Sequence, residues 1–228
     1  MTCRIVVLAS GNGSLFNALI DARDDELSIE ALVTDNPKAG AVAIASRAGI
    51  DVRVVDPTNF ADRSEWDEAL TAAIEEFTPV LVVSAGFMRV LGAETLAAFP
   101  DRIINTHPAL LPAFPGAHAV RDALSAGVAE TGSTVHVVDA GVDTGPVIVQ
   151  EAVDILPDDD ESTLHERIKA AKLDVLLIVG DDQTELFRTT NNPAIAIFHG
   201  PSIRNTAREP ARPDGFTASA TGRERRRP

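Results

Sequence analysis

The stretch M-T-C-R-I-V-V-L-A-S-G-N-G-S, residues 1–14, decides how the chain is read. Arg4 to Ala9 is an apolar, β-branched run that stops at the turn Ser10-Gly11-Asn12-Gly13-Ser14. After it, Leu15, Ala18, Leu19 and Ala22 recur at helical spacing. A strand, a glycine turn and a helix in immediate succession form the opening of a β-α-β unit. The apolar run is short and runs straight into the turn, so it reads as a buried strand and not as a signal peptide.

The same beat continues downstream. Ile29–Thr34 is expected as a strand, residues 39–48 as a helix ending before Gly49, and Val52–Val55 as a third strand. Arg63–Phe77 is an amphipathic helix with Trp66, Leu70, Ala73, Ile74 and Phe77 on one side. Pro79 follows, then the fully apolar strand Val80–Ser84, a short helix over Leu91–Phe99 and a strand over Arg102–Thr106. Thr134–Val138 and Val147–Val153 read as neighbouring strands, and Ser162 as the cap of a last helix. This alternation predicts an α/β fold: a doubly wound, mostly parallel sheet. Residues 1–187 are expected to form one domain. Residues 188–228 lose periodicity and read as a divergent, partly disordered tail in which only Ala194–Phe198 suits a strand.

Composition narrows the function. With nine Phe, one Trp and no Tyr, the core must be aliphatic, as suits a parallel sheet covered by helices. A single cysteine rules out an internal disulfide and fits a reducing, cytoplasmic setting. The net charge is −14, unevenly spread. From Arg188 onward eight Arg face three acids; residues 1–187 keep 12 basic and 31 acidic side chains, a charge of −19. So acidic a body argues against nucleic acid as a partner, and no apolar run approaches a membrane span. Small-molecule substrates are expected, bound by a monomer or a homodimer.

Three loops carry candidate chemistry. S-G-N-G-S, at the start of a helix, offers backbone N–H groups and a positive dipole end to a phosphate. It is not the dinucleotide fingerprint, because Phe16 stands where that pattern needs Gly, so a phosphomonoester site is expected. S-A-G-F-M-R-V-L, residues 84–91, brings Gly86 and a run of apolar side chains to a strand end. There, Phe87, Met88, Val90 and Leu91 either line a slot for a flat ring or simply pack. I-I-N-T-H-P-A-L-L-P-A-F-P-G puts Asn105 and His107 on one face of a strand, because strand side chains alternate. An amide and an imidazole on one face can address a single oxygen. His118 and His136 show no such partner; they read as a loop residue and as part of a strand. Asp143, in the Gly-rich G-V-D-T-G-P, either caps its own turn or faces His107 and manages a proton. No His or Cys spacing suggests a metal, and no G-x-S-x-G elbow is present.

Taken together and in order, V-V-L-A-S-G-N-G-S, V-S-A-G-F-M-R-V-L, N-T-H-P-A-L-L-P-A-F-P-G, H-V-V-D-A-G-V-D-T-G-P-V-I-V-Q and L-H-E-R-I-K resemble the folate-dependent phosphoribosylglycinamide formyltransferases of purine synthesis. The resemblance spans Arg4 to about Lys169. It implies a Rossmann-like domain that moves a formyl group from 10-formyltetrahydrofolate, as co-substrate and with no metal, to the amine of glycinamide ribonucleotide. By matching position it implies that Asn105, His107 and Asp143 are catalytic. Gly13, Ser14 and Leu15 would hold the phosphate and Gly86 would lie against the same substrate. Arg63, Met88, Arg89, Val90 and Leu91 would border the folate. Two features depart from the pattern. Leu15 stands where many relatives carry Asn, and Lys169 and Lys172 stand where the family places Gln and Glu. A shifted reading frame or a diverged paralogue would produce such a tail. The alternatives are a catalytically impaired binding protein and another folate formyltransferase sharing the N-x-H-P loop.

Overall fold

The structure is a computed structural model that describes residues 2–23, 25 and 27–170, with the backbone of two short strands beyond them. In chain order the elements are β1 (Cys3–Leu8), α1 (Ser14–Ala22), β2 (Leu27–Thr34), α2 (Gly40–Ala48), β3 (Asp51–Val54), α3 (Arg63–Glu75), β4 (Leu81–Ser84) and α4 (Ala93–Ala98). They continue with β5 (Ile103–His107), α5 (Ala119–Ala126), β6 (Glu130–Val137), β7 (Val147–Asp154) and α6 (Glu161–Ala170). β8 (Val175–Ile178) and β9 (Ala196–His199) pair antiparallel as a separate two-stranded sheet.

Seven strands form one sheet in the order β3-β2-β1-β4-β5-β6-β7. The first five are parallel, and β6 and β7 are added antiparallel. Alternation along β1 shows why the sheet is covered on both faces. Ile5, Val7 and Ala9 pack with Phe16 of α1 and with Ala41 and Ala45 of α2. Val6 and Leu8 point the other way, into Trp66, Leu70 and Ile74 of α3. A fully buried Leu or Ile side chain contributes about 1.5–3 kcal/mol, so a strand apolar on both faces holds two layers together. The one Trp is satisfied as well as buried: its indole N–H donates to the Val55 carbonyl at 2.7 Å.

The expected elements from the first strand to β5 are all present, with shifted ends. α4 is shorter than expected because Leu91 is not its first residue; Leu91 is buried in the core and Gly92 precedes the helix. Three features differ in kind. A helix unread in the sequence, α5, follows the Pro-rich loop, with His118 at its N-cap position. It buries only Ala119, Val120 and Ala123, too short an apolar pattern to stand out. The cap before α6 is Asp160, whose carboxylate accepts the Thr163 N–H at 2.8 Å, and not Ser162. β9 lies where a strand over Ala194–Phe198 was expected; the rest of the 188–228 tail, and Lys172, lie outside the described residues.

Candidate active site

Parallel strands deliver their carboxyl ends to one edge of the sheet, where ligands of such folds bind. β1 and β4 are adjacent there, and Ser10 ties their loops together. Its N–H donates to the Gly86 carbonyl at 3.1 Å, and its hydroxyl accepts the Met88 N–H at 3.0 Å. Gly13 is required by its backbone. It sits at φ +80°, and a Cβ would come within 2.7 Å of the Ala41 Cα. The Asn12 carboxamide accepts the Ser14 N–H at 3.1 Å. First-turn amides of a helix have no acceptor within it, so Leu15 and Phe16 still present N–H groups there. Leu15 packs its side chain against the core and keeps only its backbone for a ligand. Gly86 is also positive in φ, +78°, with open space where a side chain would be.

The run from 87 to 91 divides between core and surface. Phe87 and Leu91 pack into the core, with Phe87 parallel to Trp66 at a ring separation of 6.5 Å. Met88 and Val90, 71% and 53% exposed, remain on the surface. Arg63 donates to the Val90 carbonyl and, at 2.8 Å, to Asp67, and its guanidinium lies over the Trp66 ring. Arg89 turns toward the loop after β2, where it donates to the buried Asp35 carboxylate at 2.8 Å.

β5 and β6 assemble the polar centre. Asn105 and His107 lie on one face of β5, and antiparallel register puts His136 opposite Asn105 and Thr134 opposite His107. Asp143 reaches the same place from the loop between β6 and β7. One carboxylate oxygen lies 3.3 Å from the Nδ1 of His107 and accepts the Gly116 N–H at 2.7 Å. The other lies 3.4 Å from the Asn105 amide nitrogen and 3.4 Å from His136 Nε2. Asp143 therefore does not cap its own turn. Asp139 does that, accepting from the Gly141 N–H and the Thr144 hydroxyl.

The hydrogen-bond inventory orders this centre. The Nε2 of His107 faces the Phe114 carbonyl at 2.8 Å, which can only accept, so that nitrogen carries hydrogen. Its Nδ1 faces the Asp143 carboxyl group at 3.3 Å. His136 faces its other nitrogen, Nδ1, toward the Val137 carbonyl at 2.9 Å, leaving Nε2 to accept from the Asn105 amide at 3.2 Å. Phe114, Gly116 and Asp143 all have positive φ, so this geometry is built on unusual backbone. The expectation that His136 lacks a partner is corrected: it is 2% exposed and bonded to Asn105. Only the pairing register of β6 against β5 reveals it. The Asn105 and His107 donors converge loosely on the Asp143 carboxylate, as they would on a developing oxyanion.

α6 flanks this region without joining it. Arg167 clasps Asp159 with two bonds of 2.5 Å and holds its carboxyl at about 2. Lys169 pairs with Glu166 on its own helix at 2.8 Å. His165 is pushed below its ordinary value by burial first and by the Lys169 charge second. Among the described residues, no group of three or more His, Cys, Asp or Glu is placed to hold a metal ion, and no helix is long and apolar enough to cross a membrane.

A covered parallel sheet with an Asn-His-Asp cluster at its carboxyl edge defines a class, and comparison with known proteins agrees: the chain belongs to the formyl transferase family, which residues 3–179 match. Within that family the similarity runs to phosphoribosylglycinamide formyltransferases. The enzyme of that name from Mycobacterium tuberculosis is 51% identical over 176 residues, covering 76% of this chain and 81% of that protein. The trifunctional purine biosynthetic protein adenosine-3 of Homo sapiens is 40% identical over 172 residues, covering 74% of this chain and 17% of the larger protein. A crystal structure of glycinamide ribonucleotide transformylase 1 from Symbiobacterium toebii superimposes with a TM-score of 0.72 at 41% identity, covering 74% and 81% of the two chains.

Proposed function

We propose that this chain transfers a formyl group from 10-formyltetrahydrofolate to the amine of glycinamide ribonucleotide, the step of purine biosynthesis that its relatives' names describe. The observation that carries the reading is that Asn105 and His107 each face one oxygen of the same Asp143 carboxyl group, with Asn105 paired to Ser84 at the end of β4. The substrate amine attacks the formyl carbon, so a C–N bond forms and the carbonyl oxygen gains charge. The Asn105 amide and His107, in the role of imidazolium, turn from the Asp143 carboxylate to that oxygen. The bonds exchanged are long, 3.3–3.4 Å, so little is lost in breaking them. The carboxylate thus released takes a proton from the attacking amine. The bond from the formyl carbon to the folate nitrogen then breaks, and that nitrogen receives the proton. His136 keeps the Asn105 amide turned toward the centre.

The phosphate of the ribonucleotide is assigned to the backbone of Gly13, Ser14 and Leu15, with Ser14 already engaged by Asn12 and the next amides left to the ligand. Gly86 would lie against the same substrate. The exposed Met88 and Val90 and the backbone of Leu91 would border the folate, with Arg63 setting the shape of that segment and Arg89 flanking it. No step uses a metal. We take residues 1–187 as the catalytic domain of a cytoplasmic enzyme, monomeric or homodimeric, and 188–228 as an appendage. A chain cut after residue 187 is expected to retain its turnover.

The test is direct. The full chain is incubated with 13C-formyl-labelled 10-formyltetrahydrofolate and glycinamide ribonucleotide, and the products are read by NMR. A labelled amide on the ribonucleotide supports the reading. Label that stays on folate, or is released as formate alone, overturns it.

A further inference from the structure

His107 and Asp143 are not held by β5 and their own turn alone. The loop over residues 108–116 supplies the Phe114 carbonyl that fixes one nitrogen of His107 and the Gly116 N–H that fixes one oxygen of Asp143. What holds this loop decides the catalytic geometry. Its side chains are mostly apolar, and Ala109 and Leu111 are buried, so their backbone groups need partners from elsewhere.

We infer that Thr134 and Gln150 are positioning residues for formyl transfer, acting through this loop; the inference rests on the function proposed above. The hydroxyl of Thr134 donates to the Ala109 carbonyl at 2.5 Å and accepts the Leu111 N–H at 3.1 Å. It also accepts from the Gln150 carboxamide at 2.9 Å. One donor and two acceptor sites are the full capacity of a hydroxyl, and all are used in a fully buried position. The same Gln150 nitrogen donates to the Leu111 carbonyl at 2.8 Å, so Leu111 is gripped by both its N–H and its C=O. Register explains the geometry. Thr134 is paired with His107 on one side and with Gln150 on the other, which sets the three in one cross-strand row through β5, β6 and β7. β7 thus takes part in the site although it contributes no group to the reacting centre.

Neither side chain hydrogen-bonds to the trio, so the effect of losing one is misplacement. A displacement of about 1 Å costs on the order of a hundredfold in rate. Thr134→Val keeps the shape of the side chain and removes all three hydrogen bonds. Gln150→Leu, on the edge strand, removes two with less risk to folding. Thr134→Ser keeps the hydroxyl.

The experiment compares these three variants with the wild type in steady-state turnover against both substrates and in the 15N–1H spectrum of the His107 ring. Thr134→Val and Gln150→Leu are expected to lose about ten- to a hundredfold in kcat with KM for the ribonucleotide nearly unchanged. Their His107 Nε2–H signal is expected to shift as the Phe114 carbonyl moves, while Thr134→Ser keeps both readings close to wild type. Folded variants with wild-type kcat and an unmoved His107 signal would overturn the inference, as would a lowered melting temperature with neither reading changed. If the wild type itself transfers no formyl, the proposed function fails. The ring signal then judges the clamp by itself, an unmoved signal overturning it.

Discussion

The parallel half of the sheet and its antiparallel corner are built from different materials. β1 and β4 contribute Ile5, Val6, Val7, Leu8, Leu81 and Val82, all essentially fully buried and almost all aliphatic. β5 and β6 bury Ile103, Ile104 and Val135 too, but add the buried, hydrogen-bonded side chains of His107, Thr134 and His136. Apolar burial is non-directional, so the first half needs volume and alternation only. Buried polar groups must be hydrogen-bonded, so the corner needs partners at defined distances. That difference locates function: the half held by shape is scaffold, and the half held by directional bonds is where chemistry can be aimed.

Substitutions in each region break the comparison in different observables. Asn105→Ala removes an oxyanion donor, and kcat is expected to fall by about 10²–10³, or about 3–4 kcal/mol, with thermal stability little changed. Equal losses of stability and activity would erase the distinction between the halves. Leu70→Ala empties a fully buried site on α3 and is expected to cost about 3 kcal/mol in denaturant unfolding, with unchanged kcat per folded molecule. Gly13→Ala lies between the two regimes. At φ +80° and with Ala41 backbone in the way, it is expected to cost about 1–3 kcal/mol in stability and to raise KM for the ribonucleotide while sparing kcat.

The smallest effect is a pH-dependent one away from the site. Arg167 holds the folded Asp159 carboxyl at about 2, below its ordinary value of 3.8. A depressed folded value stabilises the protein above about pH 4, and that contribution is lost as pH falls toward 2. The gap in unfolding free energy between wild type and Asp159→Asn is therefore expected near neutral pH and should close through that window. A gap that stays constant down to pH 2 would show that the clasp does not act through charge.

The scaffold half was legible in sequence because its information is local. Alternation along Arg4–Ala9 and the helical recurrence of Trp66, Leu70 and Ile74 state which side faces which layer. Asn105 and His107 were legible for the same reason, since i and i+2 on a strand share a face. Asp143 was legible as a candidate, although the bonds of Asp139 were needed to free it from the turn. His136 was not, because its partner stands 31 residues away and is set by strand register. The Phe114 carbonyl and Gly116 N–H were out of reach in principle, since backbone groups carry no residue signature. The pairing of Arg89 was out of reach for a related reason: its Asp35 partner lies 54 residues back, in another loop.

The sharpest trial of the central claim compares wild type with His107→Ala at saturating concentrations of both substrates, with folate affinity measured on the same samples. The expected result is a loss of at least about a hundredfold in formyl transfer with folate binding retained. Equal turnover in the two proteins would contradict it and would leave the Asn105, His107 and Asp143 cluster as a structural feature of the fold.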